Sequence, residues 1–256
     1  MDVSPDGSFV LVSHWDLDRL TRVSQTDFAT SSLALPAGSP ARGVTIADNG
    51  FAYATSSGVV AINLSSGALT VGSLTGYFSG GHFLRYDFVN SKLVVATSGG
   101  SPSKAYRLGV DGANLTYEGS VETGGNGQSL ELDPRGGRFV FCVGGGNGPG
   151  YTIFLFNLFE LLQPVAVMDP ESYPREAAFS PDGSILYAVN GSFYDRRIYI
   201  FDTESGRELG HIVPENPETS TSLNGVEVSA DGTELYLYTW RSSSPRASKV
   251  TVYRLR

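Results

Sequence analysis

Few side chains in this chain could do chemistry, and they do not fall into the spacings that common reaction centres require. His14, His82 and His211 share no metal-ligand spacing, and neither C-x-x-C nor H-E-x-x-H occurs. No G-x-S-x-G turn presents a serine nucleophile. The single Cys142 sits in the apolar run Phe139-Val140-Phe141-Cys142-Val143, which reads as a buried, inert thiol. Asp16 and Asp18 form an i,i+2 carboxylate pair, but the glycine and distal Glu of a calcium loop are missing, so the pair reads as solvated. The stretch Gly144-Gly145-Gly146-Asn147-Gly148-Pro149-Gly150 would suit a phosphate, yet it links two strands and opens no helix. What remains is a set of aromatic, charged and amide residues: His14, Trp15, Arg42, His82, Asn126, Arg175, Glu176, Tyr194, Arg196, Asn224, Trp240 and Arg241. Trp and Arg dominate binding hot spots, and a Trp face suits sugars and other flat polar ligands. Arg, His and Glu brought together could polarise an ester carbonyl and pass a proton. Which chemistry applies depends on the elements that hold them.

Those elements follow from an internal repeat. A turn signature recurs as Val3-Ser4-Pro5-Asp6-Gly7, Ile46-Ala47-Asp48-Asn49-Gly50, Leu132-Asp133-Pro134-Arg135-Gly136, Phe179-Ser180-Pro181-Asp182-Gly183 and Val228-Ser229-Ala230-Asp231-Gly232, with a weaker copy at Phe88-Val89-Asn90-Ser91. The period, about 40–50 residues, is that of a propeller blade. Pro sets φ at the second turn position and Asp-Gly tolerates positive φ, which is hairpin chemistry. A short apolar strand precedes each turn and a stronger one follows, as in Phe9–Ser13, Phe51–Thr55 and Phe139–Val143. A third strand comes next (Val59–Asn63, Ile153–Asn157, Ile198–Asp202), and most units show a fourth. No amphipathic segment of helical length appears; only Leu158–Leu162 looks helical, within a turn. The expectation is an all-β chain: a β-propeller of six four-stranded blade units, approximately 1–40, 41–80, 81–125, 126–173, 174–220 and 221–256, forming one domain. The last unit lacks its outer strand, because Val250–Arg256 is a third strand. Met1 aligns inside a first strand, so the chain is expected to be a fragment of a seven-bladed ring rather than a ring closed imperfectly at six.

The run Ala177-Ala178-Phe179-Ser180-Pro181-Asp182-Gly183, with Leu186-Tyr187-Ala188-Val189-Asn190 and Ile198-Tyr199-Ile200-Phe201-Asp202-Thr203, resembles the YVTN repeat. Tyr106-Arg107-Leu108-Gly109-Val110-Asp111-Gly112-Ala113-Asn114-Leu115 is similar to the corresponding part of lactonase-like propellers. The resemblance spans the chain and specifies a fold. It implies a family with surface-layer, cytochrome-associated and sugar-lactonase members, and hence a periplasmic, extracellular or cell-surface setting; fold alone assigns no activity.

Composition narrows the partners. A formal charge of −8, with no Lys/Arg cluster, leaves no means of neutralising phosphates, so nucleic acid is not expected. No stretch is apolar enough to span a membrane as a helix, and the opening Met1-Asp2-Val3-Ser4-Pro5 has no signal-peptide pattern. No cofactor or metal is expected.

Propeller topology then sorts the residues. Loops that open each innermost strand, and those between second and third strands, share one face, opposite the Pro-Asp-Gly turns. Ser13–Leu20, Asp169–Glu176, Gly191–Arg197 and Trp240–Ser248 are expected among them. Ligand-binding candidates on that face are His14, Trp15, Arg42, His82, Arg175, Glu176, Tyr194, Arg196, Trp240 and Arg241. Trp15 and Trp240 are expected at equivalent positions in the first and last units; closure at six would join them with His14 and Arg241 in one patch. The leading function is a non-enzymatic binding or scaffold propeller for a protein, carbohydrate or other small molecule. The alternative is a lactonase-like hydrolase using Arg, His and Glu at the channel mouth.

Overall fold

The computed structural model describes residues 1–38, 40–56, 58–71, 81–98, 102–145, 150–161, 163–191, 195–214, 221–241 and 247–255. Two compact units divide the chain, Met1–Glu122 and Thr123–Arg256. Each holds three antiparallel sheets whose strands follow one another in chain order, as in propeller blades. In the first unit, blade 1 is β1 (Asp2–Val3), β2 (Phe9–Ser13), β3 (Arg19–Ser24) and β4 (Thr30–Ala34). Blade 2 is β5 (Val44–Ile46), β6 (Phe51–Thr55), β7 (Val59–Asn63) and β8 (Leu69–Val71). Blade 3 is β9 (Gly81–Asp87), β10 (Lys92–Thr97), β11 (Ser103–Asp111) and β12 (Asn114–Gly124). In the second unit, blade 4 is β13 (Gly127–Leu132), β14 (Arg138–Gly144), β15 (Tyr151–Asn157) and β16 (Pro164–Met168). Blade 5 is β17 (Pro174–Phe179), β18 (Ile185–Asn190), β19 (Ile198–Asp202) and β20 (Glu208–Ile212). Blade 6 has three strands, β21 (Thr221–Val228), β22 (Glu234–Arg241) and β23 (Ala247–Arg254).

Burial explains the composition of each strand. Second strands such as β10, β14 and β18 are buried at nearly every position, on both faces, so they read as continuous apolar runs rather than alternating ones. Outer strands β4 and β20 meet solvent and are polar. Blade 4 packs Val140, Cys142, Ile153 and Leu155 against Ala177, Phe179, Leu186 and Tyr199 of blade 5. The other face of blade 5, with Tyr187, Val189 and Ile198, packs on Val226, Leu235 and Leu237 of blade 6. Each such large side chain taken from water stabilises the stack by about 1.5–3 kcal/mol.

The signature turns are locally self-sufficient. Ser180 Oγ donates to Asp182 Oδ1 at 2.6 Å and accepts from the Ile185 amide at 3.0 Å, while Gly183 turns back on the Ser180 carbonyl at φ +65°. Asp231 repeats the arrangement with Ser229 and Thr233. Hydroxyl and amide donors hold the carboxyls of Asp6, Asp182 and Asp231 at a pKa of about 2. In blade 4 Asp133 takes the serine's place, and its buried carboxylate is gripped by Arg135 at 2.9 Å and Arg138 at 2.5 Å. Both guanidiniums reach on to the Gly183 carbonyl of blade 5, which Thr203 also contacts.

The helical look of Leu158–Leu162 does not survive folding. Residues 158–161 bend and turn, because Asn157 Oδ1 accepts from the amides of Phe159 and Glu160 and the Leu158 amide reaches back to Gly137; residue 162 lies outside the described residues.

Candidate functional site

The feature that aims side chains at one end of the innermost strands is a β-bulge repeated from blade to blade. Register between first and second strands slips between Gly81 and Phe83, Gly127 and Ser129, Pro174 and Glu176, and Leu223 and Gly225. The residues left over are His82, Gln128, Arg175 and Asn224. Each stands at the same offset before the residue that opens its turn, respectively Asp87, Asp133, Ser180 and Ser229. Arg42 holds this offset before Ala47, and its amide reaches the Thr55 carbonyl at 3.1 Å while the Thr55 amide reaches Gly43. A bulge leaves its extra residue out of the ladder and re-aims its side chain. Sequence reasoning picked Arg42, His82, Arg175 and Asn224 for this end, but chose Asn126 where the bulge presents Gln128. The fixed offset from the turn was the signal that would have found it.

In the first unit, the Arg42 guanidinium lies over the Trp15 ring, 4.2 Å from its centroid. Trp15 sits in the bend between β2 and β3 and is 62% exposed. His14 Nε2 meets Thr21 Oγ1 at 2.8 Å, which holds that ring against the hairpin. The backbone of His82 belongs to β9; its side chain lies outside the described residues.

In the second unit a cleft of about 550 Å³ is lined by Tyr173, Arg175, Gly191, Ser222, Asn224, Tyr238 and Trp240. Two successive bulge residues, Arg175 and Asn224, stand in its polar wall, and a third, Gln128, holds Arg175. Arg175 Nη1 donates to Gln128 Oε1 at 2.8 Å, and Gln128 Nε2 donates to the carbonyl and Oδ1 of Asn126 at 3.0 and 2.9 Å. Asn126 stands at φ +54° and donates through Nδ2 to the Gly144 carbonyl at 3.0 Å and to the Tyr173 hydroxyl at 3.2 Å. Tyr151 meets Tyr173 edge-on, with centroids 5.8 Å apart. Asn126 is thus a positioning residue behind the wall. Glu176 points the other way along β17, its carboxylate lying against Gly225, where an added Cβ would stand 3.0 Å from Oε2.

Two expectations need correction. Trp240 and Arg241 are not in a loop: β22 and β23 stay paired through Trp240↔Ser248 and Arg241↔Ala247, and β21 pairs the same residues with Ser222 and Thr221. The hairpin outlasts its apolar run because backbone pairing continues where side-chain burial stops. With this fails the expectation that both Trp residues follow a second strand: they keep the same offset from their turns, at Ser4 and Ser229, but Trp15 lies in a bend and Trp240 in a strand, 37% exposed.

Tyr194 lies outside the described residues, and Arg196 follows it in the segment before β19. The groups that organise this segment are its neighbours. Asp195 accepts from Asn190 Nδ2 at 2.7 Å, the Tyr199 hydroxyl at 2.8 Å and Arg197 Nε at 2.9 Å, and Arg197 Nη2 pairs with Glu171 at 2.6 Å. Burial pushes the Asp195 carboxyl up, but these donors outweigh it and hold it below the usual range. Burial and Asp195 together push the Tyr199 phenol up, so this network anchors the loop and stores no proton for transfer near neutrality.

No family model matches the chain, and no curated protein matches it. Among solved structures 1092 chains match. One is the hydrazine synthase of Kuenenia stuttgartiensis, similar with a TM-score of 0.75 and 13% identity over 94% of this chain and 75% of that chain. At that identity the likeness carries the architecture and no chemistry. By its sheets and by this likeness, the chain is a β-propeller.

Proposed function

We propose that this chain is a ligand-binding propeller of the YVTN-repeat type that acts by recognition rather than catalysis, with the cleft of the second unit as its binding site. The supporting observation is the cleft itself. Its volume of about 550 Å³ falls within the ~300–1,000 Å³ range of small-molecule sites. Polar groups fixed by an amide network face aromatic walls, the composition that orients and holds a polar ligand with flat faces. The sites stand on strands, so little ordering entropy opposes binding. The YVTN resemblance adds an exported or surface-associated setting for the full-length protein.

A panel of saccharides and small organic acids, screened by calorimetry against the wild-type chain and Trp240→Ala, tests this reading. Binding of at least one class that Trp240→Ala abolishes supports it. Binding that Trp240→Ala leaves intact would place the site elsewhere. Hydrolysis of a lactone panel, lost in Arg175→Gln and Glu176→Gln, would instead establish the lactonase-like alternative.

A further inference from the structure

Resting on that reading, the geometry points to an acidic saccharide as the ligand: a sugar ring stacked on Trp240 and Tyr238, with its carboxylate seated on Arg175. The state of the arginine is the starting observation. Three other guanidiniums of the second unit are matched with carboxylates, Arg135 and Arg138 with Asp133, and Arg197 with Asp195 and Glu171. Arg175 lines the cleft, yet among the described residues its one hydrogen bond goes to the neutral Oε1 of Gln128, and no carboxylate pairs with it. That bond uses Nη1 and orients the planar fork, leaving the Nε and Nη2 protons for a ligand. A fork held in one orientation matches the two oxygens of a carboxylate in a bidentate pair.

Neighbouring groups extend the match. Asn224 is the bulge residue of the next blade and lines the same cleft, and its side-chain amide makes no hydrogen bond among the described residues. It offers a donor and an acceptor, the pairing a vicinal hydroxyl needs. The Tyr173 hydroxyl accepts from Asn126, so its own proton is free to be donated into the cleft. Tyr238 and Trp240 alternate on β22, and both are partly exposed, at 41% and 37%. Their faces supply the flat apolar surface on which the C–H side of a sugar stacks. One fixed cation in a chain of net charge −8 suits one carboxylate of a short uronate, whereas a long polyanion would be repelled by the rest of the surface.

The test is calorimetric titration of the whole chain with digalacturonate, with its neutral counterpart galactobiose, and with glutarate, a dicarboxylate without a ring. Digalacturonate should bind roughly 10–100-fold more tightly than galactobiose, the span expected for a charge-assisted hydrogen-bonded pair. Arg175→Gln should remove that preference, and Arg175→Lys, which keeps the charge and loses the fork, should restore only part of it. Unchanged urea-unfolding curves for both variants would show that the loss is local. Glutarate should bind far more weakly than digalacturonate, because it leaves the aromatic walls empty. Equal affinity for the acidic and neutral disaccharides would overturn the proposal while leaving a binding function at the cleft in place. A preference that survives Arg175→Gln, or tighter binding of glutarate than of digalacturonate, would overturn it too. Absence of any heat with all three probes ends the acidic-saccharide assignment, and the broader panel with Trp240→Ala then decides the binding function separately.

Discussion

Replacing Gly183 by alanine should destabilise the second unit far more than the same change at Gly232, although the two glycines hold matching places in their turns. Both stand in the left-handed region, at φ +65° and +71°. An L-side chain there costs roughly 1–2 kcal/mol. At Gly232 an added Cβ meets the Pro181 ring at 3.3 Å, which a small shift relieves. At Gly183 it would overlap Oδ1 of Asp133 and Nε of Arg135. The Asp133 side chain is fully buried and held by two guanidiniums, so it has nowhere to swing. Deleting one partner of a buried pair costs about 3–5 kcal/mol. Here the pair is displaced rather than deleted, and Arg135 is about half exposed, so roughly 2 kcal/mol is the appropriate share. The total is then about 3–4 kcal/mol for Gly183→Ala against about 1–2 kcal/mol for Gly232→Ala, or roughly 6–16 °C against 2–8 °C in melting temperature for a fold of this size. Urea and thermal unfolding followed by circular dichroism measure both. In an Asp133→Ala background the cost of Gly183→Ala should fall to the Gly232 value, because the obstructing carboxylate is gone. Equal losses for the two glycines in the native background, or no coupling to Asp133, would refute the clamp.

Three further outcomes are expected. Ser180→Ala should raise the Asp182 carboxyl from about 2 toward its ordinary value, read by carbon NMR titration. A depressed carboxylate stabilises the fold above the unfolded pKa of ~3.9, and that contribution is lost as pH falls through about 2. The stability gap between wild type and Ser180→Ala should therefore close on acidification and not at alkaline pH. Cys142 is fully buried and its thiol pushed up to about 12 by burial, so it should resist a thiol-reactive disulfide reagent at pH 8 and react at once in denaturant. Arg42→Ala should shift Trp15 emission while costing under ~1 kcal/mol of stability, the scale of an exposed cation–π contact; a larger loss would mean that Arg42 supports the core.

Much of the fold was legible because its rules are local. Turn chemistry at Ser180-Pro181-Asp182-Gly183 and its copies sets each hairpin between neighbours a few residues apart, and apolar runs such as Phe139–Val143 mark strands buried on both faces. The site was half legible. Arg175 and Asn224 were placed, and counting five residues back from the turn would also have chosen Gln128 over Asn126. That these residues are left out of the ladder was not legible, because a bulge is a mismatch between two strands and belongs to neither alone. The same reason hid the strand position of Trp240, which depends on β21 and β23 continuing to pair beside it. Asp133 looked like a variant of a turn serine, and only packing against blade 5 made it the centre of a clamp on Gly183. Arg42 and Trp15 are far apart in sequence and stack only because two blades bring their loops together. The sequence by itself determined the repeating hairpins and their order, whose energetics close over short spans of chain. Register slips, inter-blade ion pairs and the cleft they line were decided by the tertiary structure, since each depends on atoms whose separation is set by the stacking of whole sheets.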